Sequence, residues 1–350
     1  MATDCRRAEW YNKLMKHKNI FLVGGAGFLG YHASLEFVRH GANVTILAMP
    51  DEAVASDLAS QVRVERANID QLDDDGLGLM LRGQDVLVYA AGPDDRVELP
   101  AGVRAAEFFN EHLVNRTERV LSVARESGVK KVVIYGSYFA YINNRGLCGV
   151  KRGQLERHPY IQARVEQTRR SFALGGETFS VSVLNIPYVF GVTPGRTPIW
   201  KRVFIERYAK QPKIIYGTGG TTVTTPAKIA LATVQAVELA GHGEELAVGS
   251  VNMKFKPMIE RLLAAAKINK PVANLPTWLQ GLFMRMAWRQ EKAAGRDSGL
   301  DLRYLAGDIL GRDFYVDYEA TDRRLDMVGF QDDVEAAIDE TGRMIKTGAS

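Results

Sequence analysis

The sequence predicts an α/β protein: a doubly wound parallel sheet with a smaller, mostly helical C-terminal region. Three observations support this fold class. Short apolar runs alternate with helix-like segments through the first half, a glycine-rich turn joins the first run to the first helical segment, and the pattern changes after Phe190. Continuous apolar runs are typical of strands that helices cover on both faces. Alternation of such strands with helices indicates parallel pairing.

Six apolar runs are predicted to form the strands of this sheet. They lie at residues 20–23, 43–47, 62–65, 85–90, 131–135 and 180–185. Helical patterns fall between them, at 32–40, 108–127 and 160–174. We therefore expect residues 1–190 to form the sheet domain, with 214–250 returning to it.

The region after Phe190 differs in character. A loop rich in turn residues occupies 191–198, and helical patterns follow at 200–210, 229–240, 257–268 and 332–345. Residues 191–213 and 251–350 are therefore expected to form a smaller substrate-binding region.

Composition excludes several classes of protein. The 350 residues are 46% hydrophobic and 25% charged, with a net charge of +4 and dispersed basic residues, which argues against a nucleic-acid partner. Basic residues near the N-terminus are interpreted as one solvated helical face: Arg6, Arg7, Lys13, Lys16 and Lys18.

The two cysteines and the hydropathy pattern indicate the compartment in which the protein is expected. Cys5 and Cys148 form neither a metal-ligand spacing nor a disulfide framework, so no metal is expected and a reducing compartment is inferred. No apolar run reaches about 18 residues, and the N-terminus is polar, so we expect a cytoplasmic protein with no membrane partner.

The turn from Val23 to Gly30 is the strongest functional signal. Gly24, Gly27 and Gly30 have the spacing G-x-x-G-x-x-G, with Phe28 and Leu29 opening a helix. Such a turn leaves no side chain between backbone and ligand, and free N–H groups at the helix start face an anion. The motif therefore predicts a dinucleotide site in a Rossmann-type sheet.

Further cofactor contacts are expected where later strands end. Asn68 and Ile69 follow the third strand, and Ala90, Ala91 and Gly92 follow the fourth, where small residues permit close approach.

The choice between NAD and NADP stays open, with a preference for NADP. Neither the acid that grips the ribose in many dinucleotide folds nor an arginine for a 2′-phosphate follows the second strand directly. Asp51 is the alternative ribose ligand.

Three residues form the predicted catalytic group. Ser137 ends the fifth strand, and Tyr160 and Arg164 are four residues apart, on one helix face. A cation beside a phenol favours the phenolate, so we expect a lowered pKa for Tyr160. Such a tyrosine exchanges a proton with an alcohol or ketone while a nicotinamide carries the hydride, and Ser137 hydrogen-bonds the same oxygen.

The combination resembles the extended short-chain dehydrogenase/reductase superfamily, also called the epimerase/dehydratase superfamily, over nearly the whole chain. The glycine turn, the segment 85–92, the strand ending at Ser137, the segment 184–191 and the stretch 314–345 carry the resemblance. It implies that Ser137 and Tyr160 are catalytic, that Tyr160 and Arg164 contact the cofactor, and that Pro187, Tyr188 and Val189 line the nicotinamide site. It also implies a homodimer.

Two departures from the family pattern shape the functional hypothesis. The family motif is Tyr-x-x-x-Lys, and Arg164 replaces the lysine, keeping the charge on a longer, planar group. Tyr141 and Arg145 have the same spacing but lie too close to Ser137, and are interpreted as a decoy. Ile186 stands where sugar-nucleotide members usually carry arginine, and the stretch 221–227 is uncharged, which disfavours a diphosphate.

The resulting hypothesis is an NAD(P)-dependent oxidoreductase acting on a ketone or secondary alcohol of a small or apolar molecule. The alternatives are a nucleotide-sugar epimerase or dehydratase and a non-catalytic NAD(P)-sensing protein. Trp200 and Tyr188 are expected in the pocket, and His158 is interpreted as structural. The helical stripe 276–288 is interpreted as core packing, with a pocket wall or a partner helix as alternatives.

Overall fold

A computed structural model describes residues 15–347. Cys5, Arg6, Arg7 and Lys13 of the sequence predictions lie outside these residues. The large sheet has seven strands: β1 (Asn19–Val23), β2 (Asn43–Ala48), β3 (Arg63–Arg66), β4 (Val86–Tyr89), β5 (Lys131–Ser137), β6 (Ser180–Ile186) and β10 (Glu245–Ala247). The six strands predicted from the sequence are all present, within two residues at each end.

All neighbouring strands of the large sheet pair in parallel, in the order β10-β6-β5-β4-β1-β2-β3. The strand order reverses at β1, where Val23 lies opposite Leu47 of β2 on one side and Tyr89 of β4 on the other. Ligands of doubly wound sheets lie outside the carboxyl ends of the strands at this switch point. The topology is that of a Rossmann-type sheet.

The helices have the following bounds: α1 (Phe28–Arg39), α2 (Ser56–Ala59), α3 (Asp74–Leu81), α4 (Ala105–Phe109), α5 (Arg116–Glu126), α6 (Tyr138–Arg145), α7 (Pro159–Leu174), α8 (Pro226–Leu239), α9 (Phe255–Ala265), α10 (Thr277–Ala293), α11 (Leu302–Leu305), α12 (Tyr318–Arg324) and α13 (Val334–Thr347). None of the helices within residues 15–347 has the length and apolar character needed to cross a lipid bilayer.

Two predicted helices differ in the structure. The segment predicted as one helix at 108–127 is α4 and α5 joined by a π-helical stretch, Asn110–Asn115. The helix predicted at 200–210 is reduced to a π-helical segment, Lys201–Glu206, followed by turns. Pro212 has no N–H to continue a helix there.

Helices cover both faces of the large sheet. On one face, α1 and α8 pack together over the apolar side chains of β1, β2 and β5. On the other, α3, α5 and α7 cover β1, β4, β5 and β6. Burial on both faces explains why the central strands are continuous apolar runs.

The remaining strands of residues 15–347 form two smaller sheets. Strand β9 (Gly220–Thr224) pairs with β7 (Tyr188–Val189), β11 (Val251–Lys254) and β13 (Asp313–Phe314), and β8 (Ile214–Tyr216) pairs with β12 (Val272–Asn274). Within the segment 214–250, α8 and β10 therefore belong to the large sheet layer, whereas β8 and β9 do not.

A third apolar cluster lies between the carboxyl end of the large sheet and this C-terminal region. It contains Tyr138, Tyr160, Tyr188, Trp200 and Phe314. The interpretation of the stripe 276–288 as core packing is wrong for four of its apolar side chains. Helix α10 forms as predicted, but its four largest exposed apolar residues are Trp278, Leu282, Phe283 and Met286.

Candidate active site

The glycine turn packs backbone against backbone at the switch point. Gly24 has a φ of +82°, and a Cβ there would lie 3.0 Å from the Ala90 carbonyl oxygen. A Cβ on Gly30 would lie 2.1 Å from the Gly24 carbonyl oxygen, so only glycine fits. Gly27 precedes α1 in an extended conformation and supplies no side-chain cap. The first N–H groups of α1 therefore remain available to an anion, which fits the pyrophosphate of a dinucleotide.

The other predicted cofactor residues meet this turn along the same edge. Phe28 and Leu29 are half-buried in the first turn of α1, and Ala90 and Ala91 follow β4 directly beside Gly24. Gly92 has a φ of +129°, and a Cβ there would lie 2.7 Å from the Leu113 side chain.

The two predicted cofactor residues after β3, Asn68 and Ile69, are held by local contacts. Asn68 accepts a hydrogen bond from the Asp70 backbone N–H at 3.0 Å through its Oδ1 atom, and Ile69 is buried. The Asn68 amide lies in the loop at the carboxyl end of β3. Their contact with adenine stays a prediction.

Sequence reasoning missed two arginines beside the loop that follows β2. The Arg66 Nη1 atom donates to the carbonyl oxygens of Met49, Pro50 and Glu52 at 3.2, 3.1 and 2.9 Å. Arg196 donates from Nε to the Ala26 carbonyl oxygen at 3.0 Å and pairs with the Glu52 carboxylate. Arg66 lies one strand away and Arg196 in a distant loop, so a search directly after the second strand could not find them.

The structure brings Ser137, Tyr160 and Arg164 together at the carboxyl end of β5. The Arg164 Nε atom donates to the Tyr160 hydroxyl at 3.2 Å, and its Nη1 atom donates to the Tyr135 carbonyl oxygen at 3.0 Å. The Ser137 Oγ atom accepts a hydrogen bond from the Phe139 backbone N–H at 3.3 Å, and this hydroxyl lies close enough to Tyr160 to lower the pKa of its phenol. All three catalytic candidates are buried. The Tyr160 oxygen therefore accepts a hydrogen bond from a fixed cation and lies beside a hydroxyl, which leaves its own proton available to a substrate oxygen.

The expected lowering of the Tyr160 pKa is wrong in sign. Burial raises the pKa of Tyr160 above its usual value of 10, and this effect exceeds the opposing effects of the Arg164 charge and of the hydrogen bonds from Ser137 and Arg164. The negative charge of Asp95 raises it further. Tyr160 therefore stays protonated at neutral pH.

His158 holds the start of α7 and has no free nitrogen. Its Nδ1 atom accepts from the Asp301 backbone N–H at 2.9 Å, which leaves Nε2 to donate to the Asp308 carboxylate at 3.1 Å. The side chain is completely buried. The structural interpretation of His158 agrees with this geometry.

Aromatic rings pack together as a wall in the buried cluster that also contains Tyr160. Tyr188 and Trp200 lie 5.1 Å apart between ring centroids, and Trp200 stacks on Phe190 at 4.7 Å and on Phe204 at 5.3 Å. The Trp200 Nε1 atom donates to the Val189 carbonyl oxygen at 2.7 Å. Pro187 is buried at the end of β6. This packing fixes the segment that the family resemblance assigns to the nicotinamide.

An ion pair lies against this wall, and sequence reasoning missed it. The Arg96 guanidinium lies 4.9 Å from the ring centroids of both Tyr188 and Trp200. It pairs with Asp95 at 3.2 Å, and their side chains are only 20% and 11% exposed. Asp95 and Arg96 follow Gly92 closely, after the end of β4. The carboxyl end of that strand was already predicted to face a ligand, so the position of the pair in the sequence could have marked it as part of the site.

The strand β9 offers no charge to a substrate. All five of its residues are buried, and Thr225 caps the next helix through its hydroxyl. This strand is uncharged, as predicted, and its side chains are also inaccessible to a substrate.

Comparison with known proteins agrees with the cofactor site. Residues 24–169 match the family model of NAD(P)H-binding domains. A sterol-4-alpha-carboxylate 3-dehydrogenase (decarboxylating) from Dictyostelium discoideum is 24% identical over 130 residues. That alignment spans 37% of this chain and about a third (36%) of the length of that relative.

Solved structures share the fold over nearly their whole length. The crystal structure of gox2253 has a TM-score of 0.74 at 16% identity, covering 95% of this chain and 99% of that one. A nucleoside-diphosphate-sugar epimerase from Pseudomonas aeruginosa has a TM-score of 0.70 at 15% identity, with coverage of 95% and 99%. MoeE5, in complex with UDP-glucose and NAD, has a TM-score of 0.65 at 18% identity, with coverage of 95% and 100%.

Fold and glycine cradle together define a dinucleotide-binding α/β protein whose cofactor is NAD or NADP. Residues 24–169 therefore form an NAD(P)H-binding domain, and the motifs resemble those of the extended short-chain dehydrogenase/reductase superfamily.

Proposed function

We propose that the protein is an NAD(P)-dependent oxidoreductase that interconverts a ketone and a secondary alcohol on a small or largely apolar substrate. The observation that carries this proposal is the buried Tyr160 hydroxyl, held between the Ser137 hydroxyl and the Arg164 guanidinium at the carboxyl end of β5. Hydroxyl, phenol and fixed cation at one point are suited to proton exchange with a carbonyl or alcohol oxygen.

The chain's own residues supply the proton chemistry. In the direction of ketone reduction, the Tyr160 O–H donates its proton to the carbonyl oxygen, which becomes the alcohol. The Ser137 hydroxyl donates a hydrogen bond to the same oxygen and holds it in place. Burial raises the pKa of Tyr160, which keeps the donor protonated at neutral pH. Arg164 then stabilises the phenolate that remains.

The residues that would hold the cofactor are the glycine turn with Phe28 and Leu29, Asn68 with Ile69, Ala90 to Gly92, and Pro187 to Val189. Tyr160 and Arg164 complete this set. NAD or NADP, when bound, supplies or accepts the hydride. Arg66 and Arg196 place positive charge beside the loop after β2, which supports NADP as the preferred form.

The surroundings of Tyr160 support an apolar substrate with one polar group. Tyr188 and Trp200 belong with Tyr160 to one buried apolar cluster, and the Asp95–Arg96 pair places hydrogen-bonding groups against their rings. The buried, uncharged β9 provides no partner for a diphosphate, which favours this substrate class over a nucleotide sugar. The name of the Dictyostelium relative describes a dehydrogenase of a sterol carboxylate, a substrate of the same kind.

Replacement of the proton donor tests the proposal. We expect Tyr160→Phe to lower kcat by about a hundredfold or more, since general acid–base catalysis contributes on that scale. The assay follows NAD(P)H absorbance with a panel of apolar ketones and secondary alcohols that includes sterols.

Tyr141→Phe is the matched control, because Tyr141 also has an arginine four residues later, with the Arg145 guanidinium 3.9 Å from its ring centroid. This variant should keep full activity. Full activity of Tyr160→Phe would remove Tyr160 from the mechanism. Conversion of a nucleotide sugar without net NAD(P)H consumption would replace the proposal with an epimerase.

A further inference from the structure

Helix α10 presents four large apolar side chains to solvent. Trp278 is 74% exposed, and Leu282, Phe283 and Met286 are each more than half exposed. Gln280 is its one fully buried residue, and the opposite side of the helix packs on α11 and the π-helical segment Ala306–Leu310. Single exposed apolar residues are ordinary, whereas four on one helix face mark an interaction surface.

Basic side chains share this face. At 100° per residue, Arg285 and Arg289 lie on the same side as Trp278 and Leu282. Neither arginine has a carboxylate partner within residues 15–347. Between residues 277 and 296 the chain has four basic residues and one acidic residue, Glu291.

The positive character extends to a second segment. Residues 201–213 contain five basic residues and one acidic residue. This segment lies near α10, since the pKa of Glu291 is lowered by its hydrogen bond to Arg296 and also by the charge of Arg207. Together these two segments contain nine basic and two acidic residues, whereas the whole chain contains 45 basic and 41 acidic residues.

We propose that α10 docks the protein on the surface of an anionic lipid bilayer. Trp, Leu and Phe beside arginines are the composition of helices that lie in the plane of a membrane interface, with the apolar side chains among the acyl chains and the cations on the headgroups. The helix lies on the membrane and does not span it. A helix that lies on a bilayer surface does not need the long apolar run that a membrane-spanning helix requires.

Other occupants fit the face less well. A second copy of the chain on this face would bring together two patches that both carry Arg285 and Arg289, and like charges in one interface are costly. A nucleic acid would satisfy the arginines but leave Trp278, Leu282 and Phe283 uncovered. A bilayer satisfies both sets of side chains.

The position of α10 links the proposed membrane contact to the segment that contains Tyr160. The chain leaves α10 at Ala293, and six residues later the Gly299 carbonyl oxygen accepts a hydrogen bond from the Tyr160 backbone N–H at 2.9 Å. Asp297 in the same connection accepts from the Ala105 N–H at 3.1 Å. A bilayer on α10 would therefore lie near the catalytic group, where an apolar substrate dissolved in lipid would be needed. The docking itself does not depend on the proposed hydride transfer.

Vesicle flotation of the full chain tests the proposal. We expect binding to phosphatidylcholine vesicles that contain phosphatidylglycerol, and weak binding to phosphatidylcholine alone. Leu282→Glu with Phe283→Glu should reduce the partition coefficient at least about tenfold, because buried apolar area sets the binding strength. Each of Arg285→Gln and Arg289→Gln should reduce it about fivefold, the effect of one cation near an anionic surface.

Leu79→Glu is the matched control, because Leu79 is 64% exposed on α3 and lies in the sheet domain. It should bind vesicles like the unchanged chain. Thermal unfolding and NAD(P)H binding, both unaffected in every variant, show that the fold is intact. On vesicles, Trp278 fluorescence should shift to the blue, and this shift should be lost in Trp278→Phe.

Three results would overturn the proposal. The first is no binding to vesicles of either composition. The second is loss of binding on removal of the arginines but not of Leu282 and Phe283, which would mean electrostatic adhesion alone. The third is a dimer in solution that Trp278→Glu dissociates, which would mean that a second copy covers this face.

Discussion

At the scale of single residues, the Tyr160 hydroxyl lies between opposing influences. Burial and the Asp95 carboxylate raise its pKa, and Arg164 and Ser137 lower it. The resulting value stays above that of a free phenol. Substitution of Arg164 and substitution of Asp95 should therefore move the same pKa in opposite directions, with Tyr160 itself unchanged.

Alcohol oxidation needs the Tyr160 phenolate, so kcat/KM for oxidation should rise with pH through the pKa of Tyr160. Arg164→Met removes a positive charge, which raises that pKa further and moves the rise to higher pH. Asp95→Asn removes a negative charge, lowers the pKa and moves the rise to lower pH, while Asp94 remains 3.5 Å from Arg96. The pH profile of kcat/KM measures both shifts.

Shifts of the two profiles in the same direction, or no shift in either, would show that Tyr160 does not control the rate. The control is Arg145→Met, which removes the charge beside Tyr141 and should leave the profile unchanged.

At the scale of elements, the sheet was predictable and its surroundings were not. Two-sided burial forces the central strands to be apolar runs, and the glycine motif marks the first turn, so both are visible in the sequence. The Tyr160 and Arg164 pairing was visible because four residues are one helical turn. Burial by distant segments was not visible, and it reversed the expected sign of the Tyr160 pKa.

The same limit explains the errors outside the sheet. The apolar residues of α10 have a helical period whether a core or a lipid surface covers them, so periodicity could not separate these cases. Arg66, Asp95 and Arg96 acquire their roles from neighbours in other loops. Short-range patterns contain no information about those neighbours.

The glycine turn provides a test at this scale. We expect Gly30→Ala to abolish cofactor binding and to destabilise the fold, because its Cβ would lie 2.1 Å from the Gly24 carbonyl oxygen. NAD(P)H fluorescence titration and urea unfolding measure the two effects.

Gly307→Ala is the control, since nothing lies within 4 Å of a Cβ at that helical position. It should bind cofactor normally and gain stability, up to about 1 kcal/mol from helix propensity. Normal binding by Gly30→Ala would exclude the turn as the pyrophosphate site.

At the scale of the whole molecule, the proposed cofactor site joins segments that are distant in sequence. The edge formed by β1 and β4 contributes the turn and Ala90, and the segment after β6 contributes Tyr188, while Arg196 reaches back to the Ala26 carbonyl oxygen. A ligand bound there contacts the sheet and the C-terminal side together. Binding should therefore stabilise the complete fold.

We expect NADPH at 100 times its Kd to raise the free energy of unfolding by about 2.7 kcal/mol, and NADH to do the same at its own, weaker Kd. Thermal unfolding with each nucleotide at equal concentration measures this, and NADPH should give the larger rise in Tm because Arg66 and Arg196 favour a 2′-phosphate. Gly30→Ala should show no rise with either nucleotide. A rise in Tm with ATP but with neither pyridine nucleotide would contradict the assignment of the site.

Arg164, one helical turn beyond the proposed catalytic Tyr160, limits the routes by which protons can reach the site. An amine at that position could pass a proton onward, but guanidinium groups do not release theirs in folded proteins. In this chain the Arg164 side chain is also engaged with Tyr160, Tyr135 and Gln167. We therefore expect Tyr160 to regain its proton from water on the substrate side and not through Arg164, so the rate of proton exchange should depend on how well that side is hydrated.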